Sequence, residues 1–234
     1  MEPVVHLREA VALLGRFPAL AGADLDVERG EIVLVRGRNG AGKTTLLRVL
    51  GGLVAVTSGD AVVLGCDLRT DRRAVRAKVG LLGHDNGLYD DLTVAENVRF
   101  WGRAVGATAA EIEAAMARLG VAGRLADVPV HRLSAGQRRR TALAVVAARR
   151  PELWLLDEPH AGLDATGRDL LDELLGDAVA AGATVVFASH ELDRAEPLAH
   201  RVVTMAGGQV ESASRSSRPA DPSRPVLLIP SVPC

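Results

Sequence analysis

The sequence predicts an α/β fold: a mixed sheet core with an N-terminal antiparallel β part and an inserted helical subdomain. Three observations carry that expectation. From residue 30 to about 210, short apolar runs alternate with helical segments, the pattern of a largely parallel sheet. A glycine-rich turn, "GRNGAGKTT" (37–45), stands directly between one such run and a helix. Between residues 92 and 149 the alternation gives way to helix after helix.

Taken in order, "PVVHL" (3–7) and "ADLDVERGE" (23–31) read as antiparallel strands, the second alternating and closing in a Gly turn. "EIVLVRG" (31–37) reads as a buried strand, and "KTTLLRVLGG" (43–52) as a helix stopped by Gly51 and Gly52. "VGLLG" (79–83), "ELWLLDE" (152–158) and "ATVVFAS" (183–189) are short apolar runs bounded by turn residues, suited to strands buried on both faces. In the helical stretch, Thr93 with Glu96 and Thr108 with Glu111 have capping-box spacing. Ile112, Met116 and Leu119 share a face of the second helix, and Gly120 ends it. Ser134 suits the N-cap of a third helix running to Arg150, where Pro151 stops it. The whole reads as a single domain over 1–210, with a core of about 1–83 and 150–210 and a helical subdomain of about 84–149. Residues 211–234, rich in Ser, Arg and Pro, predict a mobile tail in which "VLLI" is the one segment able to dock.

At 234 residues the chain can bury a substantial core, and 48% hydrophobic with 24% charged residues is a globular composition. A formal net charge of −1 leaves no electrostatic footprint for nucleic acid, so none is expected as a partner. Two cysteines, Cys66 and Cys234, make no disulfide framework and point to a reducing compartment. The start "MEPVVHLREAVALLGRF" lacks the apolar core of a signal peptide, and no run reaches the ~20 apolar residues of a membrane helix. Membrane association is therefore expected only through a partner.

"GRNGAGKTT" has the form G-x-x-x-x-G-K-[ST], the P-loop that cradles phosphates when it follows a strand and opens a helix. Gly37, Asn39, Gly40, Ala41 and Gly42 let the backbone wrap closely, so that N–H groups converge on phosphate oxygens at a helix N-terminus. Lys43 would reach the β- and γ-phosphates, the Thr44 hydroxyl would ligate Mg²⁺, and Thr45 completes the cradle. A chance match in this length is expected on the order of 1% or less. "LWLLDEPHAGLD" (153–164) ends an apolar strand in Asp157 and Glu158, two carboxylates where open α/β sheets bind ligands. Asp157 suits Mg²⁺, directly or through its shell, and Glu158 suits activation of an attacking water. His190 in "FASHELD" follows the next strand and could donate to the transferred phosphate and orient Glu158; a helix-start histidine is the plain alternative.

"LSAGQRRR" (133–140) resembles the signature of the ATP-binding cassette (ABC) ATPases, usually LSGGQ, with Ala135 for a glycine. With "GRNGAGKTT", "LLDEP", "AGLD" and "SH" in family order, the resemblance covers roughly residues 3–210. It implies a P-loop NTPase of the ABC type that hydrolyses ATP with Mg²⁺ and drives an integral membrane transporter subunit from the cytoplasmic face. Ser134 and the N–H groups of Ala135 and Gly136, followed by Gln137, make a second anion site at a helix start. In the family that site serves a nucleotide on the opposite subunit, which implies a head-to-tail homodimer or heterodimer of ATPase subunits. Asp164 then lies at the dimer seam, and Arg138, Arg139 and Arg140 read as a solvated helix face.

His84 occupies the place, eight residues before the Leu92 of "LTVAEN", where the family usually has a glutamine that contacts Mg²⁺ and water. The resemblance gives it a relay role towards the helical block, with Asp85 and Asn86 as turn residues. "GHDNGLYDDLTVAEN", "LSAGQRRR" and Trp154 are similar to the ATP-binding subunits of cytochrome c maturation haem exporters, whereas the long tail and Gly162 depart from them. The family's adenine-stacking aromatic aligns with Leu14. Phe17, three residues on, either stacks on the base or packs in the core.

Overall fold

The computed structural model describes residues 2–215. In chain order it runs β1 (Val5–Leu14), β2 (Phe17–Val27), β3 (Ile32–Arg36), α1 (Lys43–Leu50), β4 (Ser58–Val63), β5 (Cys66–Asp67), the single turn α2 (Leu68–Asp71) and β6 (Val79–Leu82). There follow α3 (Val94–Arg103), α4 (Ala109–Arg118), α5 (Ala135–Arg149), β7 (Leu153–Asp157), α6 (Ala165–Ala180), β8 (Thr184–Ala188), the short α7 (Leu192–Ala195), β9 (Arg201–Ala206) and β10 (Gln209–Arg215).

Two sheets result. A four-stranded antiparallel sheet has the order β2-β1-β4-β5, and a six-stranded mixed sheet has the order β10-β9-β3-β8-β7-β6, antiparallel only at β10. β1 and β2 form one long hairpin with Leu14 opposite Phe17, longer than the two segments the sequence suggests. Its alternation is interrupted by a register shift between Leu7 and Ala10, where Glu9 has φ 46°; that bulge moves later side chains to the other face.

The apolar runs are explained by burial on both sides of the large sheet. Val33, Val35, Leu153, Leu155 and Val186 pack with α1 and the antiparallel sheet. Leu34, Trp154, Leu156 and Phe187 pack with α3, α5 and α6 on the opposite face. The capping boxes at Thr93/Glu96 and Thr108/Glu111 are both formed, and Ser134/Gln137 forms a third. The C-terminus differs from expectation. Residues 211–215, placed in a mobile tail by their composition, continue the edge strand β10, because pairing with β9 needs only backbone groups. "VLLI" lies outside the described residues.

Candidate active site

Four neighbouring parallel strands, β3, β8, β7 and β6, end at the same edge of the sheet. The loop after β3 is the P-loop; His190 follows β8, Glu158 follows β7, and His84 follows β6. Segments far apart in sequence meet because parallel strands deliver every such loop to one side.

The P-loop is held from behind. Gly42 caps α1 with φ 103°, and a Cβ there would stand 2.6 Å from the Ala19 carbonyl oxygen. Gly37 has φ 153° and is pressed against the Met205 carbonyl on β9. Asn39 and Gly40 are exposed at the loop tip, whereas Ala41 and Thr45 are buried. The Lys43 ammonium, on a buried side chain, donates to the carbonyls of Gly37 at 2.8 Å and Arg38 at 3.3 Å, and lies 3.4 Å from His190 Nε2.

Thr44 Oγ1 donates to Asp157 Oδ2 at 2.7 Å. Two hard oxygens beside a phosphate cradle fit Mg²⁺, which takes one or two protein oxygens and completes its shell with phosphates and water. Among the described residues there is no cluster of three or more His, Cys, Asp or Glu suited to a metal ion. Glu158 Oε2 accepts from the His190 backbone N–H at 3.0 Å. Its Oε1 is buried, lies 3.5 Å from His190 Nε2 and has no hydrogen-bond partner, a basic oxygen left free at the site. Glu158 also has φ 47°, a left-handed conformation that costs a non-glycine residue about 1–3 kcal/mol and clusters at functional sites.

At the signature, Ser134 and Ala135 are exposed, and Ser134 Oγ accepts from Gln137 N at 3.2 Å while Gln137 Oε1 accepts from Ser134 N at 3.0 Å. The first-turn N–H groups of Ala135 and Gly136 have no carbonyl one turn back within α5. Gly136 approaches the Gly162 carbonyl so closely that a Cβ would lie 2.9 Å from it. A cavity of about 440 Å³ joins Ala135, Arg139 and Gly162 to His84, Asp157 and Glu158. Asp164 is exposed and caps α6 through Gly167 N at 2.8 Å. Phe17 is 80% exposed, which removes core packing as its role.

The geometry is that of a nucleotide-hydrolysing cassette, and comparison with known proteins agrees. Residues 20–161 match the ABC transporter family. The chain belongs to that family. This ABC ATPase is 44% identical over 191 residues to the "Cytochrome c biogenesis ATP-binding export protein CcmA" of Bordetella bronchiseptica, covering 81% of this chain and 85% of that one. It is 39% identical over 197 residues to the human "Phospholipid-transporting ATPase ABCA7", covering 82% of this chain but 9% of that far longer protein. Among solved structures, the cassette MJ0796, in a dimeric post-hydrolysis state bound to ADP and Pi, superposes with a TM-score of 0.80 at 26% identity, covering 90% of this chain and 98% of that one. CbiO1 from Clostridium perfringens, part of the transporter complex cbiONQ, gives 0.78 at 28% identity, covering 92% and 90%. The ABC ATPase therefore binds nucleotide, hydrolyses ATP and works as a dimerising cassette with a membrane transporter partner. No helix among the described residues is long and apolar enough to cross a membrane.

Two residues lining the cavity of the ABC ATPase, and one buried just after Glu158, escape a sequence reading. Arg139, expected on a solvated face, is 6% exposed and points into the site; it shares a helix stripe with buried Ala142, Leu143 and Val146, and that spacing is the signal. Asn86, read as a turn former, accepts from Arg139 Nη1 at 3.1 Å. His160, two residues after Glu158, is buried with Nε2 2.8 Å from Asp172 Oδ1, and no local pattern announces it.

Proposed function

We propose that this chain is the MgATP-hydrolysing subunit of an exporter that serves cytochrome c maturation, with haem or a haem-linked cargo carried by a separate membrane subunit. The observation behind the catalytic half is the free, buried Glu158 Oε1 beside the His190 ring, whose Nε2 in turn lies 3.4 Å from the Lys43 ammonium. The relatives named as cytochrome c biogenesis export proteins support the cargo half.

In this reading the P-loop from Gly37 to Thr45 wraps the phosphates and Lys43 moves from the Gly37 and Arg38 carbonyls onto them. Thr44 and Asp157 would hold Mg²⁺, which would supply charge neutralisation at the phosphates. Glu158 takes the proton of the attacking water through Oε1, while the His190 backbone fixes Oε2 and the His190 ring reaches the γ-phosphate. Ser134, Ala135, Gly136 and Gln137 bind the phosphates of a nucleotide held by a second ATPase subunit, and Asp164 lies at the seam. Phe17 stacks on adenine. His84 senses the state of this pocket and passes it to the helical block of 84–149, where exposed Tyr89 and Phe100 form an aromatic patch with Trp101 that offers the membrane partner a contact. The chain then sits on the cytoplasmic face of the membrane.

The test is genetic and biochemical together. Cells lacking the chain should lose covalently bound haem from c-type cytochromes on a haem-stained gel, and Lys43→Ala should fail to restore it. Normal c-type cytochromes in such cells would end the cargo reading and leave the ATPase intact. Altered phospholipid distribution instead would favour the second reading, a lipid exporter, which the likeness to the phospholipid-transporting ATPase supports.

A further inference from the structure

Arg139 is the most completely used side chain in the site. Its Nη2 donates to the carbonyls of Asp157 at 2.6 Å and Glu158 at 2.7 Å. Nη1 donates to the Gly83 carbonyl at 2.8 Å and to Asn86 Oδ1 at 3.1 Å, and Nε reaches the Pro159 carbonyl at 3.5 Å. A guanidinium has five N–H groups in a fixed fork, and all five here meet an oxygen. Three of those oxygens are successive carbonyls of the Asp157-Glu158-Pro159 turn, in which Glu158 adopts φ 47° and all three face the guanidinium. The other two belong to the loop that carries His84.

The arginine itself sits one turn into α5, whose N-terminus is the signature, and its neighbours do something else. Arg138 pairs with Asp90 at 3.0 Å on the exposed side, and the stripe below Arg139 is apolar. Packing alone would be served by an uncharged side chain, since a buried cation is costly unless each donor is matched. Burial pushes the guanidinium down to about 10, against the opposing pull of Asp157 and Glu158, so it is still charged at neutral pH.

We propose that Arg139 is a positioning residue for hydrolysis: it ties the strained Glu158 turn and the His84 loop to the signature helix, so that the three shift as one unit. Nucleotide bound at the signature then sets the aim of Glu158 through α5, and the same movement reaches the His84 loop through Asn86. The inference rests on Glu158 being the group that activates water.

The full-length chain carries the test, with phosphate release for kcat and KM and calorimetry for the Kd of MgATP. Arg139→Lys keeps the charge but not the fork, and should lower kcat roughly 10- to 100-fold with Kd changed by no more than about twofold. Asn86→Ala removes one of the five acceptors and should lower kcat severalfold; Asn86→Asp, which keeps an oxygen in place, should recover it. Combining Arg139→Lys with Asn86→Ala should cost little beyond Arg139→Lys alone, because both break one network. Parent-like kcat in Arg139→Lys overturns the proposal, as do additive losses or a fall in kcat matched by a fall in nucleotide affinity. Should Arg139→Lys fail to fold, an unchanged kcat in Asn86→Ala overturns it instead. Glu158→Gln in the same assay separates the two ideas. If it turns over normally, the reading of Glu158 fails; if it is inactive while Arg139→Lys and Asn86→Ala are normal, only the role of Arg139 fails.

Discussion

Replacing Glu158 by glutamine tests the chemistry with little disturbance to the fold. The side chain keeps its length, and a glutamine carbonyl can still accept the His190 N–H that Oε2 accepts at 3.0 Å. Exchanging a charge-assisted for a neutral hydrogen bond costs about 1 kcal/mol. A chain of this size registers that as about 2–4 °C in Tm. What disappears is the basicity of Oε1, the buried oxygen with no partner. Positioned general bases contribute about 10²–10⁴-fold, equivalent to roughly 2.7–5.5 kcal/mol of barrier. The two effects differ enough in size to be separated. Glu158→Gln should melt within a few degrees of the parent and bind MgATP at least as tightly, since a negative charge beside the phosphates is gone. Its single-turnover phosphate release should fall by at least about 100-fold. Calorimetry showing intact binding, with phosphate release within about threefold of the parent, would refute the assignment, because no general base leaves so small a trace.

Lys43→Ala removes the ammonium that lies 3.4 Å from His190 Nε2 and should weaken nucleotide binding itself; unchanged affinity by calorimetry would contradict the P-loop role. Gly42→Ala forces a Cβ to within 2.6 Å of the Ala19 carbonyl oxygen at φ 103°, and a strain of about 1–3 kcal/mol should lower Tm by roughly 2–12 °C and loosen the phosphate cradle. Asp26 gives a pH signature: burial raises its pKa, but hydrogen bonds from Arg8 and His6 outweigh that and leave it below the ordinary carboxylate value. Its contribution to stability is thus present above the unfolded-state pKa and lost as pH falls through the lower folded value, so Asp26→Asn should flatten the drop of Tm between about pH 5 and pH 3.

The chemistry was more legible than the architecture that holds it. "GRNGAGKTT", "LLDEP" and "LSAGQ" are contiguous, and each holds its polar groups within a few residues, so a short window carries the message. The strand runs from 31 to 37, 152 to 158 and 183 to 189 were legible because burial on both faces removes polar residues altogether. The β1–β2 hairpin was only half visible, since the bulge at Glu9 resets the two-residue period that marks a strand. β10 was hidden because an edge strand of Gln, Ser and Ala is held by main-chain pairing that composition does not report. Arg139 was misread for a related reason. Three arginines in a row look like a solvated face, yet successive residues on a helix point about 100° apart, and here Arg139 is the one that turns towards the core.

Variants at His84 test the proposed relay separately from nucleotide binding. It is exposed, lines the cavity shared by Glu158 and Ala135, and makes no hydrogen bond to another described residue. Its loop is held instead by neighbours: Asn86 on Arg139 at 3.1 Å, and the Tyr89 N–H on Asn97 Oδ1 at 2.8 Å, where α3 begins. The ring can therefore be changed without releasing the loop. A neutral histidine offers one donor and one acceptor, and a glutamine amide offers both functions at similar reach. His84→Gln should accordingly bind MgATP like the parent and turn over within about threefold of it. His84→Ala removes both functions and should keep nucleotide affinity while losing the stimulation of ATP hydrolysis by the membrane partner. Calorimetry and phosphate release, with and without co-purified membrane subunit, distinguish the outcomes. If His84→Ala abolishes nucleotide binding, the residue belongs to the ligand shell and is not a relay. If His84→Gln is as damaged as His84→Ala, the imidazole itself is required, and exchange of donor and acceptor groups does not explain the site.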